Sequence, residues 1–342
     1  RARSETENRT LAQRPSLSRE TLLNGSFTAD METYFADQFP LRDDWTGMKA
    51  RCELLLGKRE FNGVYLCGDT LIAKVEEPEA EQNLAAVKKF AELTGGQVLL
   101  GLIPTAAEVW RDKLPAGAPS LDQPMLLQRA AEETGLPTVD MLGALSEHAA
   151  EPIYYRTDHH WTSLGARYAF EAMAAQLGIS QPIQNYDTYT VSTTFEGTLA
   201  SRSGSHAAYD TVELYVPQTD VEYYVSYGDA AETSATIYDR SALDQKDKYT
   251  VFFGGNYPRV DVYTTAETGK TLLLFKDSYA NCLMQFLYPY YDHIILIDPR
   301  YYYDNVESVI SREQVTDVLF LYNANTYFED TSLADVLNVS EN

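Results

Sequence analysis

The sequence predicts a three-layer α/β/α fold, a mainly parallel sheet covered by helices on both faces and carrying a β-rich insertion. Strand-like apolar runs alternate with amphipathic helical stretches, which is the pattern of a parallel sheet joined by crossovers. "QVLLGLIP" is a continuous apolar run, as expected of a strand buried on both faces, and "KTLLLF", "HIILID" and "DVLFLYN" read as further strands. Between about residues 183 and 268 the texture changes. That stretch is rich in Tyr, Thr, Ser and Gly and holds short alternating runs such as "TVELYVP" and "VEYYVSYG".

Residues 1–28 are polar, start on Arg and lack a hydrophobic run. They read as a linker or stalk left after a signal or anchor segment, which implies an exported protein. The first part of the α/β domain is expected over 29–182. Helical spacing runs on both sides of Pro40 and ends at Gly57. "GVYLCGDTLIAKV" is a hairpin signal around Gly68-Asp69. "EQNLAAVKKFAELTGG" puts Leu84, Val87, Phe90 and Ala91 on one helical face, with a stop at Gly95. The strand "QVLLGLIP", the helix "QPMLLQRAAEETG" and a short strand "PTVDML" follow. "TSLGARYAFEAMAAQLG" is a helix with Leu164, Tyr168 and Leu177 on its stripe and Gly178 as its stop. The insertion occupies 183–268. The rest of the α/β domain is 269–342, with strands at "KTLLLF", "HIILID" and "DVLFLYN" and helices at "SYANCLMQFLYPY" and "VESVISREQ".

With 342 residues the chain is long enough for one large domain or two ordinary ones and for a sizeable core. Its 50 acidic residues against 27 basic ones argue against a nucleic-acid partner or an anionic membrane surface, both of which need a basic footprint. Cys52, Cys67 and Cys282 form no C-x-x-C pair and permit one disulfide at most.

In parallel sheets, ligands collect at the carboxyl ends of the strands. Ser278 lies in a turn after "TLLLFKD" and before a helix, where N–H groups favour a developing oxyanion. A plain helix cap is the alternative there. Arg300 follows "HIILIDP" and suits a substrate carboxylate, an oxyanion or a neighbouring acid. Asn323 and Asn325 end "DVLFLYN" and offer amide donors or turn caps.

A serine nucleophile needs an imidazole to take its proton, and the imidazole needs an orienting carboxylate. The chain has five histidines. His159 and His160, directly behind Asp158, supply both groups from one loop. Adjacent histidines make a poor chelate, and no H-E-x-x-H or second ligand cluster occurs. No metal and no other cofactor is therefore expected.

"RTDHHWT" followed by "LLLFKDSYAN", "IDPRYY" and "DVLFLYNANTY" resembles the DHHW protein family of Firmicutes. That family is similar to the SGNH-hydrolase-like proteins that O-acetylate alginate and other exopolysaccharides, and the match runs over most of the chain. The resemblance implies a flavodoxin-like, SGNH-type sheet. SGNH enzymes usually carry the serine early and the Asp-x-x-His late. Here the order is permuted, as in the alginate-acetylating relatives.

Carried over, the resemblance implies Ser278 as nucleophile, His160 as base and Asp158 as its orienting partner. Asp277-Ser278 keeps the Asp-Ser of the usual turn, with Lys276 in place of its glycine. Asn323 or Asn325 falls at the oxyanion position and Arg300 at a substrate- or oxyanion-binding one. His159 is a spare histidine able to exchange roles with His160, and Trp161 is read as packing for the loop ahead of a sugar platform. The implied protein is an O-acetyl esterase or O-acetyltransferase acting on cell-surface polysaccharide, extracellular or surface-held, with an acyl donor or a membrane acyl-transfer partner. The competing reading is a non-catalytic glycan-binding surface protein on the same fold.

Overall fold

The structure is a computed structural model. It describes all residues except 1, 5–8, 76–77, 79–80, 95, 207, 229–232 and 339–342. The helix stop expected at Gly95 therefore lies outside the described residues.

Within residues 1–28, Arg3–Ser4 pairs with Arg9–Thr10 and Arg19–Leu23 forms one short helical stretch. Pro40 divides two helices, α1 (Ser26–Asp37) and α2 (Arg42–Leu55). The hairpin signal is met by β1 (Val64–Cys67) and β2 (Thr70–Ala73), antiparallel across Gly68, whose φ of 74° suits glycine. There follow α3 (Gln82–Thr94), β3 (Gln97–Ile103), α4 (Gln123–Thr134), α5 (Met141–Glu147) and α6 (Ser163–Ala174).

"PTVDML" does not form a strand. It makes one parallel bridge, Leu100 to Thr138, and then turns into α5. The reason is Asp140, whose carboxylate accepts the Gly143 N–H at 2.8 Å and caps that helix. On α6 the buried face is Ala166, Ala169, Phe170 and Met173. Leu164 and Tyr168 sit at its half-buried margin.

Residues 183–268 hold β4 (Tyr186–Phe195), α7 (Thr198–Ser203), β5 (Asp210–Pro217), β6 (Tyr223–Tyr227), β7 (Thr233–Ser234) and β8 (Arg259–Thr264). β4 and β5 pair as a separate two-stranded ribbon. β6, β7 and β8 join the central sheet instead. The chain continues with β9 (Thr271–Lys276), α8 (Ala280–Leu287), β10 (His293–Ile297), α9 (Val306–Glu313), β11 (Asp317–Asn323), α10 (Ala324–Glu329) and α11 (Ser332–Asn338).

The central sheet has the order β7-β6-β8-β10-β9-β11-β3. The strands β10, β9, β11 and β3 run parallel, and β8, β6 and β7 extend one edge antiparallel. The two-residue alternation of a strand divides each apolar run between the two faces. Leu272, Leu274, Ile294, Leu296, Leu319 and Leu321 pack beneath α6 and α8. Leu273, Phe275, Ile295, Ile297, Val318 and Phe320 pack against α3 and α9. Phe90 of α3 meets Phe275 and Phe320 edge-on. Cys52, Cys67 and Cys282 are all free thiols. Among the described residues no helix is long and apolar enough to cross a membrane.

Candidate active site

β9, β10, β11 and β3 end on one edge of the sheet, and the chemistry-bearing residues follow those ends. Lys276 closes β9 and is followed by Asp277, Ser278 and Tyr279, before α8 begins at Ala280. The turn is fixed by Asp277. Its carboxylate accepts the Tyr279 N–H at 2.9 Å and, through the other oxygen, the Asn323 N–H at 2.9 Å. This buried side chain ties the Ser278 turn to the end of β11. Burial raises its pKa against the opposing pull of those N–H groups. Lys276 is also buried, beside Asn281 at 2.9 Å and Asp298 at 3.7 Å, and desolvation lowers its pKa.

The Asp158-His159-His160 loop reaches Ser278 from across the chain. Its stem is closed where Tyr155 N–H donates to His160 O and Thr162 N–H to Ile153 O. Trp161 is fully buried there and donates its indole N–H to Tyr279 O at 2.8 Å, so it packs the loop onto the serine turn. Asp210 holds the loop's entry, accepting from Arg156 N–H, Thr157 N–H and the Thr157 hydroxyl.

His160 Nε2 lies 2.7 Å from Ser278 Oγ, and His160 Nδ1 lies 2.5 Å from Asp158 Oδ1. The His160 ring stacks on Tyr249 at 3.8 Å, and the Tyr249 hydroxyl donates to Ser278 O at 2.8 Å. Ser278 does not cap the helix that follows it, since that helix has no side-chain cap and the turn's cap-like acceptor is Asp277. Ser278 is partly exposed while His160 and Asp158 are buried.

The second oxygen of Asp158 accepts from Thr198 N–H at 2.8 Å and Thr198 Oγ1 at 2.9 Å. Burial alone would raise the Asp158 pKa. The His159 and His160 imidazoles, with hydrogen bonds from His160 and Thr198, outweigh it and hold the carboxyl well below the usual range. Asp158, His159 and His160 have ligand atoms close enough to hold a metal ion. The 2.5 Å contact between Asp158 and His160 is a hydrogen bond, however, and both Asp158 oxygens already accept from protein donors. That donor set suits proton handling better than a cation.

Asn323 ends β11. Its Oδ1 accepts from Asn325 N–H, and its Nδ2 makes one long contact of 3.5 Å to Ile103 O, which leaves donor capacity on the amide. Asn325 Oδ1 is buried without a partner. Arg300 is turned onto Asp298 in a two-pronged pair of 2.8 and 2.6 Å. His159 donates or accepts through Nδ1 at Thr198 Oγ1, 2.8 Å away. A cleft of about 380 Å³ runs beside the serine turn, walled by Asp158, His159, Thr198, Tyr279, Asn323 and Asn325 among others. Thr198, Asp210 and Tyr249 carry no motif of their own in the sequence. They are found only once the 183–268 segment is folded over the loop.

Comparison with known proteins places the chain among relatives of similar sequence and fold. The chain is 27% identical over 179 residues to the probable alginate O-acetylase AlgJ of Pseudomonas syringae pv. tomato, covering 48% of this chain and 46% of that protein. It is 28% identical over 169 residues to the Pseudomonas putida counterpart, covering 45% and 44%. The chain thus matches about half the length of these curated relatives. Its fold is similar to that of a DHHW family protein from Eubacterium siraeum, with a TM-score of 0.67, 24% identity and coverage of 80% and 95%. It is also similar to Bacillus cereus PatB1 solved with a sulfonyl adduct, at 0.66, 18%, and 79% and 97%. Residues 65–259, more than half the chain, match the family model described as the SGNH hydrolase-like domain of the acetyltransferase AlgX. This chain therefore belongs to the SGNH hydrolase-like AlgX acetyltransferase domain family.

Proposed function

We propose that the chain is an exported serine acyl-transfer enzyme that moves an acetyl group to or from cell-surface carbohydrate. The observation that carries this reading is the unbroken hydrogen-bonded series Ser278 Oγ, His160 Nε2, His160 Nδ1, Asp158 Oδ1. Similarity to proteins named alginate O-acetylases supports a polysaccharide substrate.

Ser278 Oγ attacks the carbonyl carbon of an acetyl ester, and its proton passes to His160 Nε2. Asp158 stays ionised and fixes the proton on Nδ1, which leaves Nε2 as the base. The Ser278 N–H and the Asn323 amide serve the tetrahedral oxyanion. The bond from carbon to the departing alkoxy oxygen breaks, and that oxygen takes the proton from His160. The acetyl-serine then meets water, giving acetate, or a sugar hydroxyl, giving a new ester. In either case His160 accepts the attacker's proton and returns it to Ser278 Oγ. Arg300 remains paired with Asp298 and acts through the local field at the serine turn rather than as a free anion clamp.

The test is p-nitrophenyl acetate hydrolysis by the wild type and by Ser278→Ala, with and without a chelator. The expected result is turnover that is indifferent to chelator and lost by roughly four orders of magnitude in the variant. Turnover that survives the substitution, or that follows the chelator, removes this reading. Glycan binding with no turnover in either protein would put the non-catalytic alternative in its place.

A further inference from the structure

His159 is the one member of the Asp-His-His string that the acyl-transfer steps leave unused, and its surroundings define which nitrogen carries its proton. Asp158 is held ionised, so it accepts and cannot donate. The Thr198 hydroxyl, 2.9 Å from Asp158 Oδ2, must therefore direct its hydrogen there. That leaves a Thr198 lone pair for His159 Nδ1, 2.8 Å away, which consequently bears the hydrogen. Desolvation and the adjacent His160 hold the ring neutral, with its pKa pushed down to about 4. His159 Nε2 is then a bare acceptor on the far side of the ring. The side chain keeps 39% of its surface, lines the cleft beside Ser278, and its ring centroid lies 3.9 Å from that of His160.

We propose that His159 selects the acceptor: its Nε2 accepts a hydrogen bond from the hydroxyl next to the one that attacks the acyl-enzyme. The preferred acceptor is thus a vicinal diol, as on a sugar ring. The attacking hydroxyl sits on His160 Nε2, and the His159 ring, its centroid 3.9 Å from that of His160, is the neighbouring acceptor-bearing group. His159 takes no proton in the step. The attacking O–H gives its hydrogen to His160, the new C–O bond forms, and the bond from carbon to Ser278 Oγ breaks. Thr198 links the two functions, because it orders Asp158 with its donor and orients His159 with its lone pair.

This inference rests on the acyl-transfer reading, and the experiment separates the two. With p-nitrophenyl acetate as donor, transfer to trans-cyclohexane-1,2-diol is compared with transfer to cyclohexanol, and free acetate is measured alongside. The proteins are the wild type, His159→Leu and His159→Gln. The wild type is expected to favour the diol, and His159→Leu to cut the diol-to-alcohol ratio by about tenfold, the worth of one hydrogen bond. His159→Gln, which keeps an acceptor oxygen, is expected to restore part of that ratio. A fall shared equally by diol, alcohol and water overturns the proposal, since it marks a purely structural support of Asp158. Acetate release with no transfer to either alcohol, or equal ratios in all three proteins, overturns it as well. No release of p-nitrophenol by the wild type removes the acyl-transfer reading itself, and the selection of an acceptor falls with it.

Discussion

Gly197 packs directly on the side chain of Asp158, so closely that a methyl group there would overlap the carboxylate. Its φ of −84° is open to any residue, and the need for glycine is one of space. The close approach lets Thr198 donate twice to Asp158 and lets Gly197 N–H donate to Thr157 Oγ1. Gly197→Ala should displace Asp158 from His160 and lower kcat/KM by about one to two orders of magnitude, with substrate KM changing less than kcat. Steady-state kinetics on an activated acetyl ester check this. A variant as active as the wild type would mean that the contact does not set the position of Asp158.

Thr198 is expected to act through its hydroxyl. Thr198→Val keeps the shape but removes one donor from a buried carboxylate, at a cost of about 1–3 kcal/mol. Thr198→Ser keeps the donor. Activity should follow the hydroxyl, with the Val variant about tenfold or more below the Ser variant. Equal activity in the two would contradict this.

Asp277 holds two buried N–H groups from separate elements, Tyr279 on the serine turn and Asn323 on β11. Asp277→Ala strands both donors. Thermal unfolding should show a loss of roughly 2–5 kcal/mol, and the remaining folded protein should have reduced kcat because the oxyanion donors are no longer in register with Ser278. A variant of unchanged Tm would show that water replaces the carboxylate at no cost.

His159 gives a pH dependence of stability with a defined sign. Its folded pKa is lowered to about 4 by burial first, and by the neighbouring His160, Arg202 and Arg300, against the opposite pull of Asp158. An unfolded imidazole titrates near 6.5. Between these values the unfolded chain binds more protons, so stability rises with pH and falls as pH drops through about 6.5 towards 4. Urea midpoints between about pH 7 and about pH 5 should decline in the wild type and decline less in His159→Gln. Parallel slopes would place the proton uptake elsewhere.

The parallel strands could be read from the sequence because burial on both faces leaves an unbroken apolar run, as in Leu272–Phe275 and Val318–Leu321. Local chemistry points to Ser278 at a strand end and to the Asp158-His159-His160 string but leaves the two histidines and a plain cap at Ser278 open. The family resemblance is what selects His160, and the fold brings His160 within hydrogen-bond reach of both Ser278 and Asp158. Other partners were hidden for a physical reason. Thr198 and Gly197 are common residues whose value lies in contact with a loop some forty positions away, and no local period encodes that contact. The helix at Thr198–Ser203 was missed inside a stretch read as β, because its Ser- and Arg-containing sequence forms a helix only where Leu199 and Ala200 bury against Val64 and Leu71. "PTVDML" has the composition of a strand, yet the cap at Asp140 turns it into a helix. Of the readings open for Arg300 at its strand end, a substrate carboxylate, an oxyanion or a neighbouring acid, the structure shows the last, with Asp298 taking its guanidinium.

The most direct measurement of the central claim is the mass of the enzyme during turnover. The protein is mixed with excess p-nitrophenyl acetate, quenched in acid within the first turnovers, and digested for peptide mapping. The account predicts a single added acetyl group on Ser278, present in the wild type and absent from His160→Ala. An acetyl group on another residue, or ester turnover with Ser278 unmodified at every quench time, would contradict it.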